Sequence, residues 1–367
     1  MRKRSIICTI LLIIFSCSLI CGCNLNKKED TKESNESFDM KAAGNTVDTY
    51  MKYLMKSDVE NIKKLYSKEL LKSPIKSENQ NLKIVGYSLS DSSEIGKSGQ
   101  FKVKVARVDL SKPFAVLDEY SIKVVKEGND YKINKTSDVV DREAFIEKDK
   151  IKMRNKNDVK TNVVIDITNV PNYVFPKDDK VNIDKAAVPK NNFGIIDFSY
   201  TGDNMAMVTY NKDSYIGVIK IDESMSAQSQ DSDGQQGNGG DGKDGEEGGK
   251  KGEVEKTVGK NITTLDLLKD SKVEFVTFSQ DEKFVMAQYT NANIGHCIRL
   301  YKANSGDIVD YKFEEKFPLD KVDVVFSSFD EDILNFDVIS KNNSSESLSK
   351  LIGKWKLSLK NFKAVKM

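Results

Sequence analysis

Residue types able to bind metal or attack a substrate are scarce in this chain: five cysteines and one histidine among 367 residues. His296 and Cys297 are adjacent, in a run (HCIRLYK) that reads as a β-strand. Neighbouring strand residues point to opposite faces, so the imidazole cannot serve as base for that thiol. One histidine also cannot complete a zinc site of the usual kind. A lone strand cysteine belongs in the core. Ser73 to Lys76 and Ser347 to Lys350 match Ser-x-x-Lys, but the Ser-Asp-Asn and Lys-Thr-Gly partners of that chemistry are missing. Gly237, Gly239 and Gly242 have dinucleotide-fingerprint spacing, yet no strand precedes them and no helix follows. No catalytic residue, metal ligand or cofactor is expected. A carboxylate pair of the glycosidase type could hide among 56 acidic residues. A hydrolase acting on cell-wall glycan or peptide is therefore the alternative function.

The other four cysteines, Cys8, Cys17, Cys21 and Cys23, lie within the first 23 residues. Arg2, Lys3 and Arg4 precede an apolar run from Ile6 to about Ile20. That run falls short of the ~20 residues that span a bilayer comfortably, and the layout is that of a secretory signal peptide. The sequence Ile20-Cys21-Gly22-Cys23 resembles the lipobox of bacterial lipoproteins. The resemblance implies that Cys23 receives diacylglycerol and becomes the N-terminus, with residues 1–22 removed. Ile20, Cys21 and Gly22 are then the lipobox positions before the cut. Two acyl chains hold a protein stably where one does so only marginally. The expected place is the extracytoplasmic face of the cell membrane. Residues 23–42 are polar and predict a disordered tether. Its typical reach is on the order of 25 Å.

Composition agrees with ordinary folded domains, 38% hydrophobic and 31% charged. Without the leader's three basic residues, 57 basic residues become 54 against 56 acidic ones, a net charge of −2. Such a balance gives no electrostatic case for nucleic acid. The basic residues are mostly lysine, so no arginine-built anion site is evident. The Lys-, Asn- and Ile-rich usage resembles that of AT-rich Gram-positive bacteria.

From Asn45 the apolar spacing predicts two helices, with Val47, Tyr50, Met51, Leu54 and Met55 on one face of the first. Ser57 and Asp58 break the pattern, and the second helix stops before Pro74. Strand-like runs follow at Leu82 to Leu89, Phe101 to Val108, Tyr120 to Val125 and Tyr131 to Ile133. Helices followed by a meander ending in EGNDYKINK resemble the nuclear transport factor 2-like (cystatin-like) α+β fold over residues 43–138. The resemblance implies a cone-shaped module. Tyr50, Tyr53, Tyr66, Phe101, Phe114, Tyr120 and Tyr131 could line its cone, although aromatics at this spacing are more often core. Residues 139–190 are expected to connect, with a degenerate β unit as the alternative.

Residues 191–367 hold three similar hairpins, beginning at Ile195, Val273 and Val322. In each a β-run reaches Phe-Ser at Phe198, Phe278 or Phe326, turns through polar residues and returns. Later strands begin at Tyr215, His296 and Ile352. The phenylalanines are 80 and 48 residues apart, and a Gly/Asp-rich insertion at 223–253 accounts for the difference. The remaining period of about 50 is blade-like, and the Phe-Ser turn resembles TolB- and WD-type propeller repeats. That resemblance implies an all-β domain of propeller-like antiparallel repeats, whole or partial. The function expected of the assembly is non-enzymatic binding or scaffolding, with an envelope protein, wall polymer or small ligand as partner.

Overall fold

Asp39 opens the first helix, its carboxylate accepting from the amides of Lys41 and Ala42 at 2.9 and 3.0 Å. Acceptors at this position satisfy amides that have no partner inside the helix. In this computed structural model, which describes residues 38–73, 81–156, 158–179, 183–224, 257–341 and 348–367, α1 runs Met40–Met55. Ala43, Val47, Tyr50 and Met51 form its buried stripe. Ser57, at φ 53°, turns the chain, and Asp58 caps α2 (Val59–Leu65) by accepting from Asn61 N. The leader, lipobox and residues 24–37 of the tether lie outside the described residues, as does most of the Gly/Asp-rich insertion. The last residues of the expected tether are not extended linker: Phe38 is buried and Met40 to Ala42 form the first turn of α1, because Asp39 supplies the cap.

The helices lie against a six-stranded antiparallel meander whose strands follow chain order. The strands are β1 (Leu82–Ile95), β2 (Ser98–Asp109), β3 (Phe114–Glu127), β4 (Asp130–Glu147), β5 (Lys150–Asn155) and β6 (Asn162–Asp166). The boundary expected after residue 138 falls inside β4, which pairs with β3 from Asp130 to Phe145 without leaving the sheet. Much of the expected connecting segment is thus the end of β4 followed by β5 and β6. A small ribbon of β7 (Tyr173–Val174) and β8 (Ala186–Ala187) follows.

Three blade-like sheets come next. The first contains β9 (Asn192–Phe198), β10 (Asn204–Tyr210), β11 (Ser214–Ile221) and β12 (Gly259–Leu268). The second contains β13 (Ser271–Phe278), β14 (Phe284–Asn291) and β15 (Gly295–Lys302). A one-turn helix, α3 (Phe313–Lys316), precedes the third, made of β16 (Val322–Asp330), β17 (Ile333–Ser340), β18 (Gly353–Ser358) and β19 (Ala364–Lys366). All pairings within them are antiparallel. The curled, predominantly β architecture expected of the repeat region is present.

Serine locks the first two turns in the same way. Ser199 N donates to Asn204 O and Ser279 N to Phe284 O, both at 2.9 Å. The hydroxyls of Ser199 and Ser279 accept from Asn204 N and Phe284 N at 3.1 and 3.0 Å. The third repeat departs from the sequence pattern. Its first strand runs past Phe326 to Asp330, which pairs with Ile333 across a two-residue turn. Phe329, 4% exposed, therefore takes the place of Phe198 and Phe278, both 0% exposed. Phe326 lies three residues earlier, only partly buried, and was the wrong phenylalanine to align.

Polar clasps join these sheets into a ring. Arg142 on β4 donates to Gly202 O at 2.9 Å; Gly202 has φ +77°, and a Cβ there would meet that guanidinium at 2.8 Å. Thr201 N and Oγ1 donate to the Glu282 carboxylate at 2.6 and 2.9 Å. Gln280 Nε2 reaches Phe329 O at 3.2 Å, and Ser88 on β1 donates to Gln280 O at 3.1 Å. Asp330 then bonds Lys52 of α1 at 2.6 Å. The helix-and-meander region is thus bonded to the turns of all three sheets. One hydrophobic cluster runs from Val85 on β1 to Leu359 and joins one face of the meander to the three sheets, while Val47, Tyr50 and Met51 of α1 are buried outside it; Asp39–Met367 form one compact unit.

Candidate functional site

Three places concentrate chemistry. The first is a shallow groove of about 350 Å³ where β4 and β5 leave the ring, lined by Val139, Val140, Glu143, Arg154, Asn155, Lys156 and Asp158. Register builds it: Glu143 lies opposite Arg154 and Arg142 opposite Asn155. Arg154 Nε donates to Glu143 at 2.6 Å. Arg142 and Asn155 both hold Glu223, at 3.3 and 2.8 Å. Asp158 accepts from Lys160 N at 3.0 Å. Val139 and Val140 stay 40% and 37% exposed beside these ions. The surface is mixed, open and stiffened from beneath. Sequence reading missed it, because the pairing of β4 with β5 places residues a dozen positions apart side by side.

The second is a buried charge cluster around Arg299 on β15. Its guanidinium donates to Asp266 at 2.8 Å, Glu314 at 2.5 Å and Asp178 at 2.8 Å. Tyr301 donates to Asp266 at 2.9 Å and Tyr289 to Glu314 at 2.7 Å. Lys177 N also donates to Asp266, at 2.9 Å. Burial opposes the arginine's charge, but Tyr301, Glu314 and Asp266 outweigh it and hold the group firmly protonated. Asp266 is 0% exposed. Every partner of the guanidinium is an acid already bound, so the cluster staples β12, β15, α3 and the segment around Asp178.

The third is His296. Its Nδ1 lies 3.0 Å from Glu274, and Gln288 donates to the same carboxylate at 2.7 Å. The imidazole is partly exposed, 43%, whereas Cys297 is fully buried with its thiol pushed up to about 12 by burial. The two side chains take opposite sides of β15 and form no dyad. Of the expected pocket aromatics, Tyr50, Phe101 and Tyr120 are buried in the core. Among the described residues no group of three or more His, Cys, Asp or Glu side chains is placed to hold a metal ion. No described helix is long and apolar enough to cross a membrane. Cys23, Ile20, Cys21 and Gly22 lie outside the described residues.

No protein-family model matches the chain, and no curated protein matches it. Solved structures similar to it include an acylaminoacyl peptidase of Pyrococcus horikoshii, 8% identical over 77% of this chain and 32% of that one, at a TM-score of 0.28. Sqt1 of Saccharomyces cerevisiae is 10% identical over 76% of this chain and 83% of its own, with a TM-score of 0.25. TolB of Acinetobacter baumannii is 8% identical over 65% and 57%, with a TM-score of 0.23. The chain spans about a third of the length of the peptidase, 32%. At such TM-scores these likenesses carry no weight for activity, and the function rests on the geometry above.

Proposed function

We propose that this chain is a lipid-anchored protein of the extracytoplasmic face of the cell membrane, held through Cys23, whose β body binds an envelope protein without turning over substrate. The groove between β4 and β5 carries this reading: it is open, about 350 Å³, and rims two exposed valines with Glu143, Arg154, Lys156 and Asp158. Interfaces of modest affinity combine an apolar centre with a polar rim in this way. Its two carboxylates are engaged by Arg154 and by Lys160 N. In this reading α1, α2 and the meander form a nuclear transport factor 2-like module that positions the repeats, which belong to the propeller class.

The test is in-cell photocrosslinking from position 140, followed by mass spectrometry of what is captured from the membrane fraction. One protein recovered in near-stoichiometric amount, and lost in Val139→Asp, supports the assignment. Efficient crosslinking to no protein overturns it. Anchoring has a separate test: Cys23→Ala should abolish acyl labelling and leader removal, and unchanged labelling would refute the attachment site.

A further inference from the structure

The first strand of each repeat carries a buried polar residue immediately before its last phenylalanine: Asp197, Thr277 and Ser328, at 0%, 0% and 5% exposed. Ser328 has a partner in Asn335. Asp197 is different, since neither of its carboxylate oxygens, nor the Thr277 hydroxyl, has a hydrogen-bond partner of ordinary geometry. We propose that Asp197 is carried in the fold as a neutral, protonated acid at the junction of β9, β13 and β1, and that its ionisation at rising pH loosens the seam between the first two blades.

The surroundings supply no countercharge. Along β9 and its turn the nearest titratable group is Tyr200, whose phenol donates to Phe278 O at 3.0 Å. β10 presents Met205, Ala206 and Met207 opposite Phe198, Asp197 and Ile196. From β2 and β3, Arg107 and Asp118 bond each other. From the turn after β13, the Glu282 carboxyl is engaged by Thr201. From β1 come Gly86 and Tyr87, the latter donating to Asp48 at 2.6 Å. A Cβ on Gly86 would lie 2.2 Å from Tyr200 Oη and 2.8 Å from Thr277 Oγ1, so the strands meet here without spare room. A carboxylate in such a place loses its hydration with no countercharge to replace it, whereas the neutral acid loses far less. Burial accordingly pushes this carboxyl well above its usual range, with only the Phe198 amide and the Thr277 hydroxyl opposing.

The sign follows from linkage. A group whose folded pKa is raised contributes stability in full below its unfolded pKa, about 3.9 for aspartate, and that contribution is lost as pH rises towards the folded value. The test compares unfolding equilibria of the full-length protein and Asp197→Asn in detergent from pH 5 to pH 8. The ratio of unfolding constants, wild type to variant, should climb with pH, at most about tenfold per pH unit while the folded acid stays protonated, and level off above its folded pKa. Amides of β9 and β13, corrected for intrinsic exchange, should lose protection with pH in the wild type but not in the variant. An infrared band of a protonated carboxyl should be present at neutral pH and diminished in the variant. Should Asp197→Asn fail to fold, Asp197→Ser serves the same comparison. A pH-independent ratio, or equal protection in both proteins, would overturn the proposal. So would a ratio that responds to sodium or calcium chloride but not to choline chloride, since the carboxylate would then be holding a cation.

Discussion

Three carboxylates and two phenols meet around Arg299. Arg299→Ala leaves Asp266 buried without its cation. Breaking a buried pair from one side costs roughly 3–5 kcal/mol, and denaturant unfolding should register a loss of that size. Arg299→Lys should recover only part of it, because an ammonium cannot reproduce the planar fork. The thiol of Cys297 gives a second residue-level expectation. Fully buried and raised to about 12, it should resist alkylation at pH 8 in the folded protein. Peptide mapping should find it modified only after denaturant is added. Rapid modification under native conditions would contradict its placement in the core.

Between residue and molecule stand the repeated strand–turn–strand units. Two serines, both 0% exposed, make the same pair of bonds in the first two repeats. Ser199→Ala and Ser279→Ala each leave a turn amide without an acceptor, so each should cost roughly 1–3 kcal/mol. Chemical denaturation should place the two losses close together, and an unchanged midpoint in either would show that the turn does not depend on the hydroxyl. The third repeat offers a contrast. Phe329→Ala should cost about 3–5 kcal/mol, and Phe326→Ala clearly less, because Phe326 is only partly buried while Phe329 ends its strand in the core. Equal losses would restore Phe326 as the equivalent position. A Phe-Ser dipeptide was a visible marker in all three repeats. The structural marker is the residue at which the strand stops, and Asp330 takes the serine's place there.

At the scale of the molecule, the chain's early and late parts complete one another. β4 carries the 138/139 boundary in its middle, the clasps run from Arg142 through three turns to Lys52, and one hydrophobic cluster joins a face of the meander to the three sheets. Thermal unfolding of the full chain should therefore be a single transition by calorimetry and by aromatic circular dichroism. Residues 43–138 expressed alone should lack a cooperative transition, because β4 would be cut and the face of the meander towards β9 bared. Two well-separated transitions, or a stable isolated fragment, would favour independent modules.

The start of the second helix, strand periodicity and the position of most turns were determined by the sequence alone. Asp58 stands where helix amides need an acceptor, and the hairpin apolar runs mark buried strand faces. Such features are local: the residues that decide them are within a few positions of one another. The first helix start was not read from the sequence, because Asp39 lies in a polar stretch whose composition resembles a tether. What joins the sheets was not determined there. Arg299 meets Asp266 and Asp178 across 33 and 121 residues, and Asp197 is isolated by strands from three different sheets. Periodicity says which face of a strand turns inward but not which strand it will find, and any of 56 acidic residues might have been the buried ones. Only the packing of distant strands selected Asp266 for a cation and left Asp197 without one.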